Sequence, residues 1–286
     1  MPWNLEPRAR SCYWCPVSNL GKRLLTAAVG VPILLALISV APAWGWVVFV
    51  MGVAAVSARE YFRIVVADSR RMPIVGILGA WAIIVPLSLY PDDPRVWLSV
   101  AAGIPLLSLL TMLAKPGEMT HVPHRAGLLA LGLLYTGLLP AFVALLRLRP
   151  EGSRLIILVL AIAFLGDTGG YFAGRLFGRH KLYPSVSPKK TWEGSVGGLL
   201  ASAGAAVVAH AWFLPGLPLA HAAGLGVALG ALGQAGDLCE SMLKRAYDVK
   251  DSGNLLPGHG GMLDRIDAVL FAAPGLYLYV AWSGLP

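Results

Sequence analysis

Apolar residues in this chain come in long blocks almost free of charge, and that pattern leaves few folds open to it. Nine such stretches fall at about residues 24–42, 43–58, 73–90, 96–114, 126–146, 155–174, 195–214, 219–236 and 266–285. Most approach or exceed the roughly 20 residues that a helix needs to cross ~30 Å of hydrocarbon. No water reaches that layer, so each segment must satisfy its own backbone polar groups, and blocks of this length read as helices. Only 13% of residues are charged against 57% hydrophobic. About a quarter is usual where a surface faces water. The expected fold is all-α, a polytopic integral membrane protein with about nine transmembrane helices.

Charge then orients the chain. With the N-terminus inside and nine crossings, the inner segments are 1–23, 59–72, 115–125, 167–194 and 237–265, and they hold 19 of the 23 Lys and Arg residues. The remainder are Arg95, Arg147, Arg149 and Arg154. This is the positive-inside bias of a protein in the cytoplasmic (inner) membrane. It accounts for the net charge of +8 without a nucleic-acid partner. Residues 1–23 form a cytoplasmic tail with no apolar core, so no cleavable signal peptide is expected. Its Cys12 and Cys15 form a lone C-x-x-C, weak ground for zinc or redox chemistry. Residues 24–286 form one multi-span catalytic domain, with loops 167–194 and 237–265 carrying the site on one cytoplasmic face. Small residues such as Gly197, Gly198, Gly224, Gly226, Gly230 and Gly233 are read as close-packing positions between helices.

Carboxylates gather where the last two spans approach the inner face. Asp237 ends the eighth span, and Asp264 and Asp267 open the ninth. Positions i and i+3 share a helix face. Antiparallel neighbours would bring Asp237 to the same point. Oxygen-only donors of this kind suit Mg²⁺, which is commonly shared between carboxylates and substrate phosphates. His259, alone among carboxylates, reads as a hydrogen-bond donor or phosphate contact before a metal ligand. Asp167 follows only twelve apolar residues and precedes Thr168-Gly169-Gly170. A carboxylate at that depth costs several kcal/mol unless it faces protein or water, so it is expected at a wet boundary.

The basic half lies in Ser187-Pro188-Lys189-Lys190-Thr191-Trp192-Glu193-Gly194. Ser187 and Pro188 read as N-cap and first helical residue. Lys189, Lys190 and Thr191 would then occupy an opening turn suited to polyphosphate. No Walker A loop, βαβ glycine fingerprint or nucleophile elbow is present. An acidic metal cradle facing a basic phosphate grip points to phosphoryl or nucleotidyl transfer, where positioning and charge neutralisation carry the chemistry.

The run from Ser241 through Lys244-Arg245, Lys250-Asp251 and His259-Gly260-Gly261-Met262-Leu263-Asp264-Arg265-Ile266-Asp267 resembles the signature of the phosphatidate cytidylyltransferase, or CDP-diacylglycerol synthase, family. Asp167-Thr168-Gly169 and the segment from Ser187 to Gly194 resemble further family elements. The resemblance runs from about residue 20 to the end. It implies joining of CTP to phosphatidic acid to give CDP-diacylglycerol and pyrophosphate, in a multi-span membrane fold. It also implies Mg²⁺, in some members with a monovalent cation such as K⁺ beside it, and a homodimer. Carried over, Asp237, Asp264 and Asp267 match the acidic metal positions, and Lys189, Lys190 and Lys244 match basic positions facing phosphates. A CTP-dependent polyprenol kinase and an ether-lipid cytidylyltransferase are the rival enzymes. A transporter using Asp167 in a glycine-broken sixth helix is the rival from another class.

Overall fold

The computed structural model describes residues 19–67, 69–114, 117–253 and 260–285, with side chains from residue 28 onward. Cys12, Cys15 and His259 lie outside them. The helices are α1 (Asn19–Val40), α2 (Ala43–Val65), α3 (Met72–Leu89), α4 (Pro94–Ala114), α5 (Val122–Leu133), α6 (Leu139–Leu148), α7 (Gly152–Phe177), α8 (Trp192–Trp212), α9 (Leu219–Ala246) and α10 (Leu263–Ser283). A hairpin of β1 (Lys181–Tyr183) and β2 (Ser187–Thr191) interrupts them. A π-helical turn, Leu134–Leu138, joins α5 to α6, so Met119–Leu148 is one rod. Among the described residues, nine rods therefore stand where about nine apolar blocks were expected. Seven of them are long and apolar enough to cross a membrane, and the chain is a multi-pass, all-α membrane protein.

Local chemistry sets the ends and the irregularities. Ser69 Oγ accepts the Met72 N–H at the start of α3, and Asp93 Oδ1 accepts the Arg95 N–H at the start of α4. Pro140 has no N–H to give, and its ring would press on the carbonyl one turn back. The π turn absorbs that defect immediately before it. Between rods, side chains donate to backbone carbonyls: Trp46 to Val143, Tyr61 to Leu128, Trp81 to Met51 and Ser153 to Ile38.

The helices around the polar end pack through small residues. A Cβ on Gly197 would fall 2.2 Å from the Ala173 Cβ, and one on Gly169 would fall 2.4 Å from the Ala201 Cβ. α7 and α8 therefore approach almost backbone to backbone. Gly226 and Gly230 do the same for α9 against Ala203 and Ser202. Gly224, expected to pack in this way, has open space beside it.

Three helices run further than the apolar blocks did. α2 continues past residue 58 through Arg59, Glu60 and Arg63. α7 passes unbroken through Asp167, Gly169 and Gly170 to Phe177, and α9 passes Asp237 to reach Ala246. The expected loops 167–194 and 237–265 thus contract, and Asp167 and Asp237 are helical. Hydropathy marks where apolar residues stop, whereas the helix continues wherever neighbouring helices and the site still satisfy its side chains. The unbroken α7 also removes the broken helix on which the transporter reading depended. At the other end, three of the four arginines outside the charge bias have side-chain partners: Arg147 donates to Ala41 O, Arg149 to Asp92 and the Tyr277 hydroxyl, and Arg154 to Glu151.

Candidate active site

A cavity of about 440 Å³ opens between α7, the hairpin, α8 and α9. Asp167 and Asp237 line it, with Lys189, Lys190, Thr191 and Gln234. Both motif-bearing regions therefore meet in one place. Lys190 Nζ stands 2.5 Å from Asp237 Oδ2, and Asp237 also accepts from Ser241 Oγ at 3.3 Å. Gln234 is fixed by donating to Ser195 O at 3.0 Å and accepting from Ser195 Oγ.

The basic half is built differently from the helical turn expected of it. Ser187–Thr191 is strand β2, antiparallel to β1, with Lys181 opposite Thr191 and Tyr183 opposite Ser187. The N-cap is Thr191, whose Oγ1 accepts the Gly194 N–H at 3.1 Å, and α8 begins at Trp192. Both Ser187 and Thr191 are competent caps. Strand pairing up to residue 191 selects the later one. Thr191 is buried and its oxygen is spent on the helix, and Ser187 does not line the cavity. Glu193 ties the hairpin down: its carboxylate accepts the Arg179 and His180 N–H groups and meets His180 Nδ1 at 2.7 Å. Lys189 is exposed and Lys190 half-buried.

The three aspartates expected to share one ion divide into two environments. Asp264 is taken up by donors. Its Oδ1 lies 2.6 Å from Lys244 Nζ, and its Oδ2 accepts from Ser252 N, Ser252 Oγ and Gly261 N at 2.9, 2.9 and 2.8 Å. Lys244 also pairs with Glu240 at 2.5 Å, one helical turn earlier. It is half-buried between two carboxylates and does not line the cavity. Asp267, one turn after Asp264, is buried. It lies within electrostatic range of Asp237 and Asp167, which interact with each other. Asp167, Asp237 and Asp267 are thus the neighbouring carboxylates. Among the described residues, no three His, Cys, Asp or Glu side chains stand close enough to enclose a metal ion.

Two residues beside the site escaped the sequence reading. Glu60, near the end of α2, accepts the Met262 N–H at 3.0 Å, the Leu263 N–H at 2.9 Å and the Ser252 hydroxyl at 3.2 Å. It is a tertiary cap on α10, filling the N-terminal position that favours negative charge. The glycines around it have no room for side chains. A Cβ on Gly261 would fall 2.0 Å from Ser252 Oγ, and one on Gly253 would fall 2.4 Å from Glu60 Oε1. Its sequence signal was an acid beside Arg59, which charge counting treats as loop. Tyr135, in the π turn, buries its hydroxyl with no hydrogen-bond partner and within electrostatic range of Glu240, Asp267 and Asp237. Nothing in the sequence marks it.

The donors fit a hard divalent cation in chemistry. They are oxygen-only, like-charged and adjacent, with Asp167 and Asp237 facing a polar cavity and an ammonium already drawn to Asp237. Asp264, by contrast, accepts hydrogen bonds through both of its oxygens.

The chain is similar to known proteins over most of its length. The model of the cytidylyltransferase family matches residues 21–283. Phosphatidate cytidylyltransferase of Bacillus subtilis (strain 168) is 32% identical over 268 residues, covering 92% of this chain and 98% of the relative. That of Brucella suis is 35% identical over 272 residues, covering 93% and 94%. That of Staphylococcus saprophyticus is 37% identical over 210 residues, covering 71% and 78%. A match that takes in every rod, the hairpin and all the carboxylates of the cavity leaves one conclusion: the chain belongs to the cytidylyltransferase family.

Proposed function

We infer that the chain is a CTP:phosphatidate cytidylyltransferase, which makes CDP-diacylglycerol and pyrophosphate from CTP and phosphatidic acid for phospholipid biosynthesis. Its carrying observation is the single cavity in which Lys189 and Lys190 face Asp167 and Asp237. A polyphosphate needs the cations, and a metal that bridges phosphates needs the acids.

In this reading, a phosphate oxygen of phosphatidate attacks the α-phosphorus of CTP. The bond from that phosphorus to the β-phosphate bridge breaks, and pyrophosphate leaves with the electron pair. Phosphatidate is already anionic, so no protein nucleophile is required. Lys189 and Lys190 hold the β- and γ-phosphates and meet the charge that develops as they depart. Asp237, Asp267 and Asp167 would hold Mg²⁺, which when bound lowers repulsion between the two phosphates. Glu60 and Lys244 act one layer out, fixing the first turn of α10 and with it Asp267. The bias of Lys and Arg supports a cavity that opens to the cytoplasm from the inner membrane.

Purified protein given CTP, Mg²⁺ and phosphatidic acid tests the reading. Label from the α-phosphate is expected in the lipid product. Label entering only from the γ-phosphate would make the chain a lipid kinase instead. Metal binding has a separate readout: Mg²⁺ should raise the thermal midpoint of the native protein and leave that of Asp237→Asn unmoved.

A further inference from the structure

We propose that the apolar groove beside the first turn of α10 holds an acyl chain of the lipid substrate, with Arg265 placed to meet its phosphate. The proposal rests on the functional reading above and names where the lipid lies.

The groove is separate from the polar cavity, with a volume of about 220 Å³, room for part of an acyl chain. Its walls come from α1, α2, α6, α7 and α10, among them Trp46, Val53, Val143, Leu160 and Ile266. Phe49 and Phe164, also in its lining, are exposed, so a chain can enter from the lipid side. Arg265 is the one charged residue that lines it.

Arg265 connects the two spaces. It interacts electrostatically with Asp167, which lines the polar cavity, and it stands between Asp264 and Asp267 on α10. Phe164 in the groove and Asp167 in the cavity lie one turn apart on α7. A ligand that spans both must be apolar at one end and anionic at the other. A lipid carrying a phosphate monoester has that shape, and guanidinium is the side chain suited to a phosphate. Lipid tails are as apolar as the groove walls, so transfer from bilayer to groove yields little net energy. The contribution of the groove is position: it sets the attacking phosphate beside the carboxylates.

Val53→Trp and Leu160→Trp, on α2 and α7, each put an indole into the groove without touching the polar cavity. With dioleoyl-phosphatidate, KM should rise roughly tenfold in either variant, as expected of a modest steric clash. With dihexanoyl-phosphatidate, and for CTP, it should stay within about twofold. Equal effects on long and short chains, or none on either, overturn the groove. Failure of the native protein to use either lipid overturns the functional reading instead. A measurement on native protein needs no variant. A phosphatidate with a diazirine at its acyl terminus should label the groove segments of α1, α2, α6, α7 or α10, and dioleoyl-phosphatidate should compete where phosphatidylcholine does not. Equal competition by phosphatidylcholine would mark a resident membrane lipid and overturn the proposal, as would labelling confined to other helices.

Discussion

Lys190 Nζ and Asp237 Oδ2 stand 2.5 Å apart, so the hairpin's cation and the acid of α9 are already one pair. Neither side chain is fully buried, which limits the pair's worth to stability to under about 1 kcal/mol. Its effect belongs in turnover. Lys190→Met and Asp237→Asn should each lower kcat/KM for CTP by about a hundredfold with the thermal midpoint nearly unchanged. The double variant should fall short of the product of the two losses. Full additivity in that cycle would separate their roles.

Asp264 and Asp267 are one turn apart on α10 but predict different phenotypes. Asp264→Asn takes the charge from an acceptor of four hydrogen bonds, including one from the half-buried Lys244. A loss of about 2–3 kcal/mol follows, because bonds to charged groups are the costly ones to weaken. Lys244 keeps Glu240, which limits the damage. Asp267→Asn should leave the thermal midpoint within a degree or two and lower turnover by orders of magnitude. Thermal unfolding beside activity assays of the two purified variants checks this contrast. Near-normal turnover in Asp267→Asn would remove it from the metal set.

Glu60 reaches across about 200 residues of sequence to cap α10. Glu60→Gln keeps the shape but replaces one acceptor oxygen with a donor that faces backbone N–H groups. It should reduce kcat about tenfold or more while KM for CTP stays within about threefold, since the lysine grip is untouched. Glu60→Asp should fall between the two, because a shorter carboxylate still accepts. Gly261→Ala should reproduce the defect, as its Cβ would meet Ser252 Oγ at 2.0 Å. Loss of CTP affinity instead of kcat would place Glu60 in substrate binding.

Tyr135 buries an unpaired hydroxyl, and an unpaired buried polar group is a cost to the fold. Tyr135→Phe should therefore leave thermal stability unchanged or slightly raised. If the hydroxyl serves the neighbouring carboxylates during turnover, kcat should fall by about tenfold in the same variant. A lowered thermal midpoint would show instead that the hydroxyl is bonded in the folded protein.

Much of this was legible in the chain. Asp237, Asp264 and Asp267 stand out because acids beside apolar spans are costly. Lys189 and Lys190 stand out because two ammoniums follow a proline between two spans. The turn from Ser187 to Thr191 was misread, since two acceptable caps lie four residues apart and only the pairing of β1 with β2 chooses between them. Glu60 and Tyr135 could not be found at all: their partners are far away in sequence, and neither carries a local pattern.

The sequence by itself determined nine apolar rods, a membrane as their solvent, and two polar clusters of opposite charge, because hydropathy and charge act residue by residue. Only the tertiary structure decided which carboxylates are neighbours. Close packing of Gly169 against Ala201 and the cap that Glu60 sets on α10 bring Asp167, Asp237 and Asp267 together and turn Asp264 toward Lys244. Such choices rest on distances between helices, and those arise only once the helices have packed.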